Sequence, residues 1–160
     1  MKVIIIVVFS LLFYSCTGNI SAGTLSGWDI VVFKTSTQKL ELGIDSLYKA
    51  NSNYIIPEKW ESEAEKWIKN YSYLKTVVIY FDDSPEEMYY VTFIDAGTGD
   101  NPNYSRLAIR GVKQGNDYWK QFEEFNASEQ ERIEKRFEKE IVKKLEQITK
   151  TNSYIEKTYH

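Results

Sequence analysis

Three short runs of alternating β-branched and aromatic residues constrain the fold of this chain more than any other feature. They occupy residues 76–81, 88–94 and 106–112. Period-two alternation of these residue types is typical of half-buried strands. The connection between the first two runs, residues 82–87, is short and acidic and contains Pro85, which favours an antiparallel turn. The sequence therefore predicts a three-strand meander at the centre of an antiparallel sheet.

Apolar residues recur at helical spacing on both sides of the meander, in residues 37–50, 57–70 and 128–150. Ser128, with Glu131 three residues later, predicts the cap of the last helix. The predicted stripes are Leu40, Ile44, Leu47 and Tyr48; Trp60, Ala64, Trp67 and Ile68; and Ile133, Phe137, Ile141, Leu145 and Ile148. With a further strand over residues 28–34, the order is β-α-α-β-β-β-α. This is an α+β fold, a mostly antiparallel sheet packed with about three helices.

The alternation also separates two faces of the sheet. We expect a hairpin register that pairs Val77 with Phe93, Ile79 with Val91 and Phe81 with Tyr89. The more apolar set then faces the core: Val77, Ile79, Phe81, Tyr89, Val91, Phe93, Leu107 and Ile109. The helix from Ser128 is expected to dock its stripe on the sheet.

The opposite face supplies the candidate binding residues, which are Tyr80, Tyr90, Thr92, Arg106 and Arg110. Aromatic residues and arginine are enriched in recognition patches. If exposed, the rings would stack on a sugar or a peptide aromatic group, while the guanidinium groups would hold a carboxylate or phosphate. The alternative is that a helix covers this face and its aromatic residues form a second core layer.

The residue inventory argues against several classes of function. A net charge of −3 and a pI near 5.3 disfavour nucleic-acid binding, which needs a basic surface. The single cysteine excludes an intrachain disulfide. The single histidine, His160, is the last residue and a poor candidate for a catalytic triad or a zinc site. We predict no cofactor.

Two loops allow alternative interpretations as ligand-binding sites. The turn with Asp82, Asp83, Glu86 and Glu87 offers oxygen ligands that suit Ca²⁺, but its spacing matches no EF-hand loop, and we predict no metal. Residues 95–102 contain glycines whose N–H groups could cradle a phosphate. No helix or lysine follows as a phosphate-binding loop requires, so a flexible connection is expected.

The N-terminus begins with Met1-Lys2 and an apolar run over residues 3–14 that is too short to span a bilayer. The run ends at Ser15-Cys16. A small residue directly before a cysteine at this position resembles the signal of bacterial lipoproteins, in which that cysteine is lipidated and becomes the new N-terminus. An ordinary cleaved signal or a cytosolic start is the alternative.

The resemblance implies that residues 1–15 are removed, that residues 16–27 form a lipidated Cys16 with a flexible tether, and that one domain covers residues 28–160. The domain would be membrane-anchored in the cell envelope, facing the periplasm or the cell exterior. Two functions remain open for it. One is a non-catalytic module that binds an envelope protein, a peptide or a carbohydrate; the other is an envelope hydrolase that uses paired carboxylates. The lack of histidine and of a spare cysteine favours the binding module.

Overall fold

The computed structural model describes residues 27–94 and 103–158. The predictions for Cys16 and for the loop over residues 95–102 lie outside this part of the chain. Within it, helices pack on both faces of an antiparallel sheet, which confirms the predicted α+β class. Across the two described ranges, none of the helices has the length and apolar character needed to cross a membrane.

The helices and strands follow the predicted order with additions at the C-terminal end. The strands are β1 (Ile30–Phe33), β2 (Lys75–Phe81), β3 (Glu87–Phe93), β4 (Ser105–Gln114), β5 (Trp119–Lys120) and β6 (Ser153–Glu156). The helices are α1 (Thr37–Ala50), α2 (Glu58–Asn70), α3 (Ala127–Phe137) and α4 (Lys143–Thr149), with a π-helical turn (Glu138–Val142) joining the last two. Short 3₁₀ turns occupy Ser52–Tyr54 and Phe122–Glu124.

The sheet has the strand order β2-β3-β4-β1-β6, and β5 pairs with β4. The predicted hairpin register is wrong by two residues, because Val77 lies opposite Val91 and Ile79 lies opposite Tyr89. A shift of two residues keeps every side chain on its expected face. We call the side of the sheet that carries Ile79, Tyr89 and Leu107 the first face, and the side that carries Val78, Tyr90 and Ala108 the second face.

The first face carries the main hydrophobic core. The expected set of strand residues packs there against α1 and against α3 and α4. The predicted docking of the C-terminal stripe is confirmed, since Ile133, Phe137, Ile141 and Leu145 are all buried in this cluster. The predicted cap at Ser128 is wrong: α3 begins at Ala127, and the side chain of Asn126 accepts the N–H of Glu129 at 3.0 Å.

The π-helical turn changes which residues the C-terminal helix buries. An inserted residue rotates the following turns relative to an uninterrupted α-helix. Val142 and Thr149 are consequently buried, whereas Ile148, expected in the stripe, is 38% exposed. Gly43 of α1 lies directly against this segment. A Cβ atom there would stand 2.8 Å from Cγ2 of Thr149, so glycine allows α1 and α4 to approach closely.

Helix α2 packs on the second face. Trp60 and Ala64 are buried with Val78, Tyr80 and Tyr90 of the sheet. An aromatic stripe on α2 needs an apolar partner, and the second face supplies it. Four of the five candidate residues are therefore buried, in agreement with the alternative that a helix covers this face. Tyr80, Tyr90, Thr92 and Arg110 are all buried, and Arg106 is partly exposed.

The acidic turn between β2 and β3 is neutralised by cations. Glu86 pairs with Lys59, and Asp83 pairs with Arg136. Glu87 is almost fully buried and pairs with both Arg132 and Arg136. These carboxylates thus hold the turn to α2 and α3.

Candidate functional site

Tyr80 belongs to a network at the start of α2. Its hydroxyl donates a hydrogen bond to Glu86, whose carboxylate also accepts the indole N–H of Trp60 at 3.2 Å. Burial and Glu86 raise the pKa of Tyr80 to about 12. The hydrogen bonds from Lys59 and Tyr80 lower the pKa of Glu86 to about 2. The hydroxyl of Tyr80 has a protein partner and lies in a closed network with Trp60 and Lys59, so Tyr80 is interpreted as a structural residue.

Arg106 lies nearer the other edge of the sheet. Its Nε stands 3.2 Å from Oε2 of Glu156 in β6, and 38% of its side chain is exposed. The ion pair reaches across β1, because Arg106 lies opposite Val32 and Ile30 lies opposite Glu156. Arg106 therefore ties β4 to β6.

The remaining three candidates come together on the second face. Tyr90 and Thr92 are two residues apart on β3, where Tyr90 lies opposite Gly111 and Thr92 lies opposite Ala108. Arg110 stands between those two partners on β4. We call Arg110, Tyr90 and Thr92, together with the tyrosines Tyr71 and Tyr73 that follow α2, the Arg110 cluster.

A β-bulge positions the arginine. Ile109 pairs with Val91 and Gly111 pairs with Tyr90, so Arg110 has no partner across the ladder. A bulge locally redirects the side chain of the extra residue. Gly111 also allows β5 to lie close by, because a Cβ atom at this position would stand 3.3 Å from the carbonyl oxygen of Lys120.

Two buried polar groups of the cluster have no hydrogen-bond partner: Nε of Arg110 and Oγ1 of Thr92, on residues that are 9% and 1% exposed. The hydroxyl of Tyr90, a residue that is 0% exposed, interacts with the side chain of Thr76. Buried polar groups are nearly always satisfied in native proteins, so two in adjacent positions call for an explanation.

The charge of Arg110 also lacks a counter-ion in the described part of the chain. Burial lowers the pKa of its guanidinium, and the hydroxyls of Tyr73, Tyr71 and Tyr90 oppose this shift. No carboxylate is among the groups that act on it. Burial likewise raises the pKa of Tyr90, with Thr76 and Arg110 opposing the change. The cluster is thus a positively charged site lined by neutral hydroxyls.

Aromatic rings surround the site on the side of α2. The ring centroid of Tyr90 lies 5.4 Å from that of Trp67 and 6.1 Å from that of Tyr71. Tyr71 in turn lies 6.3 Å from Tyr73, which is 70% exposed. The exposed ring of Tyr73 therefore lies on the solvent side of the cluster, and Trp67 and Tyr90 lie on its buried side.

Two concavities lie elsewhere. A cleft of about 450 Å³ lies between α1 and α2; Ile55, Ile56, Ile68 and Val78 give it apolar walls. A smaller pocket of about 190 Å³ lies beside α3 and contains Trp28, Asp29, Glu134 and Lys157. Burial and the charge of Asp29 raise the pKa of Glu134, while Asp29 pairs with Lys157. This pocket therefore holds two carboxyl groups, and the pKa of one of them, Glu134, is raised.

Comparisons with known proteins add no information about the site, so its geometry is the basis for interpreting it. No protein-family model, curated protein or solved structure matches the chain. No group of three or more histidine, cysteine or acidic residues in the described ranges is placed to hold a metal ion.

Sequence reasoning found the centre of the cluster and missed its rim. Tyr90, Thr92 and Arg110 were identifiable from strand alternation. Tyr71 and Tyr73 were not, although an aromatic residue four positions after Trp67 continues the α2 stripe and was an available signal. Nothing in the sequence pattern brings Asp29 near Glu134, since 105 residues separate them.

Proposed function

We propose that this chain is a lipoprotein of the bacterial cell envelope whose folded domain is a non-catalytic binding module. The lipid on Cys16 would hold the domain at the membrane, with residues 16–27 as the tether. The only cysteine of the chain lies where such a signal requires it. The domain would face the periplasm or the cell exterior and engage a ligand there.

One observation carries the binding role: Arg110 is 9% exposed, its Nε has no hydrogen-bond partner, and its charge has no counter-ion among the described residues. Unpaired buried charge opposes folding, and departures of this kind concentrate at functional sites. A ligand that supplies the missing negative charge gives Arg110 a role that the fold itself does not.

A second function is favoured by a different observation, the carboxylate pair beside α3. Glu134, with its raised pKa, would act as a general acid, and Asp29, paired with Lys157, as the base or nucleophile of a glycoside hydrolase.

One experiment separates the two functions. The full chain in detergent is incubated with envelope polysaccharides and peptides, and both retention and product release are measured. Retention without turnover supports the binding module. Turnover that Glu134→Gln abolishes, and that Glu131→Gln in the same pocket leaves unchanged, would establish the hydrolase instead.

A further inference from the structure

We propose that the Arg110 cluster binds the carboxylate of a ligand that also carries an aromatic or other flat apolar group. The guanidinium and the hydroxyls of Tyr90 and Thr92 hold the carboxylate, and Tyr71 and Tyr73 contact the apolar group. The assignment rests on the proposed binding function and gives it a ligand class.

The first argument is charge. Other poorly exposed cations of the domain have carboxylate partners: Arg136 lies 2.8 Å from the buried Glu87, and Lys113 lies 3.1 Å from Glu63. Arg110 is buried to a similar degree and has no such partner in the described chain. An incoming anion removes the penalty of that uncompensated charge, so binding and stability are coupled.

The second argument concerns the charge of the ligand and the geometry of the hydrogen-bond donors. A guanidinium presents its N–H groups as a planar fork that matches the two oxygens of a carboxylate. Oγ1 of Thr92 has no partner, and the hydroxyl of Tyr90, which interacts with Thr76, retains its proton, so both hydroxyls can act as further donors. One positive charge is balanced by one negative charge. A phosphate dianion would bring a second negative charge to a site where the groups acting on Arg110 are all neutral tyrosines.

The third argument is the shape of the rim. Tyr71 and Tyr73 form a tilted pair of rings beside the charged centre, and most of Tyr73 is open to solvent. Exposed tyrosine rings bury flat apolar groups with little loss of side-chain entropy. A ligand that enters past Tyr73 therefore meets aromatic surface first and the guanidinium second.

Three small probes test the ligand class on the full chain in detergent. Benzoate has both the carboxylate and the ring, benzamide has the same shape without the charge, and phenyl phosphate has the ring with a dianion. The chain contains four arginines, so ¹⁵N-arginine labelling gives four Nε–H signals. The Arg110 signal is the one that disappears in Arg110→Met. We expect benzoate to shift this signal saturably, benzamide to leave it unchanged, and phenyl phosphate to bind more weakly than benzoate.

Thermal unfolding gives a second readout. At a benzoate concentration about tenfold above its Kd, the Tm of the natural chain should rise by about 3 °C. Arg110→Met retains the length of the side chain and removes the charge. It should unfold at or above the Tm of the natural chain without ligand and should show no benzoate response. Arg106→Met, which removes an arginine paired to Glu156 on the same strand, should keep the benzoate response.

Arg110→Lys tests the planar pair of guanidinium donors separately from the positive charge. A lysine keeps the charge and loses the planar pair of donors, so benzoate should bind about tenfold more weakly. The proposal is overturned if benzamide or phenyl phosphate acts as well as benzoate, or if the Arg110 signal does not move. It is also overturned if Arg110→Met lowers the Tm in the absence of ligand, since the arginine would then stabilise the fold.

These outcomes are independent of the membrane anchor. Benzoate binding by a chain that is not lipidated would refute the lipid anchor alone. A lipidated chain that retains peptides or polysaccharides and ignores benzoate would refute the ligand class alone.

Discussion

Neutralising Glu87 by a small change should lower the free energy of unfolding substantially. Its side chain is fully buried at the start of β3. It accepts hydrogen bonds from the hydroxyl of Tyr89 at 3.0 Å, from Nε2 of Gln114 at 2.9 Å, from Nη1 of Arg132 at 3.1 Å and from Nη1 of Arg136 at 2.8 Å. One carboxylate therefore joins β3, β4 and α3.

The change Glu87→Gln keeps the size of the side chain and removes the charge between two arginines. Breaking a buried ion pair by removing one partner costs about 3–5 kcal/mol. Two contacts reduce the loss here, because Arg132 keeps Glu129 at 2.9 Å and Arg136 keeps Asp83. We expect a decrease of about 2–4 kcal/mol in the free energy of unfolding at neutral pH.

The direction of the pKa shift of Glu87 determines how its contribution to stability changes with pH. Burial alone would raise the pKa of Glu87, but the hydrogen bonds of Arg132 and Gln114 outweigh it and the pKa is lowered. A carboxyl group with a lowered folded-state pKa stabilises the protein above its unfolded-state pKa, near 4.5, and loses that contribution as the pH falls through the folded-state value. The difference between the natural chain and Glu87→Gln should therefore shrink below about pH 4.

Urea unfolding followed by tryptophan fluorescence at several pH values measures both quantities. Glu131→Gln is the matched control, because its ion pair with Lys135 is largely exposed on α3 and should contribute little to stability. If Glu87→Gln cost no more than this control, or if its cost were the same at pH 3 as at pH 7, the ion-pair reasoning would fail.

Three further changes test the packing and the anchor. Phe137→Ala should lower the free energy of unfolding by about 3–5 kcal/mol in the same urea assay; a loss below about 0.5 kcal/mol would mean that the helix does not depend on this contact. Gly43→Ala should cost about 1–2 kcal/mol despite the better helix propensity of alanine, and adding Thr149→Ser, which removes the clashing methyl group, should restore stability. Cys16→Ser should abolish metabolic labelling with a fatty-acid analogue and release the protein from the membrane fraction; unchanged labelling would refute lipidation.

The faces of the sheet were predictable because strand alternation has a fixed period, and a slip of two residues leaves each face intact. The register itself was not. Glu87 was assigned to the polar turn, because a glutamate is rarely buried, yet it opens β3. Its burial depends on Arg132 and Arg136, which follow it by 45 and 49 residues in the chain. The residues next to Glu87 in the sequence therefore do not indicate that it pairs with these arginines.

The C-terminal end shows a second limit. The period of the last helix identified Ile133, Phe137, Ile141 and Leu145 correctly, but it assumed an uninterrupted α-helix and so exchanged Ile148 for Thr149. Strand β6 was missed because its four residues are mostly exposed and have too little apolar alternation to stand out. Its place in the sheet comes from backbone pairing with β1.

Arg110 is where the sequence reasoning failed in the most informative way. We expected a covered arginine to have an acidic partner, and that rule holds for Arg132 and Arg136. At Arg110 a bulge interrupts the ladder, the arginine lies buried without a carboxylate of the described chain, and Oγ1 of Thr92 is unsatisfied. The unpaired charge and the unsatisfied hydroxyl oppose folding, and an apolar residue at position 110 would remove the first of these costs. The other buried charges named above have partners, so the concentration of these costs around Arg110 is the observation that supports the proposed ligand site.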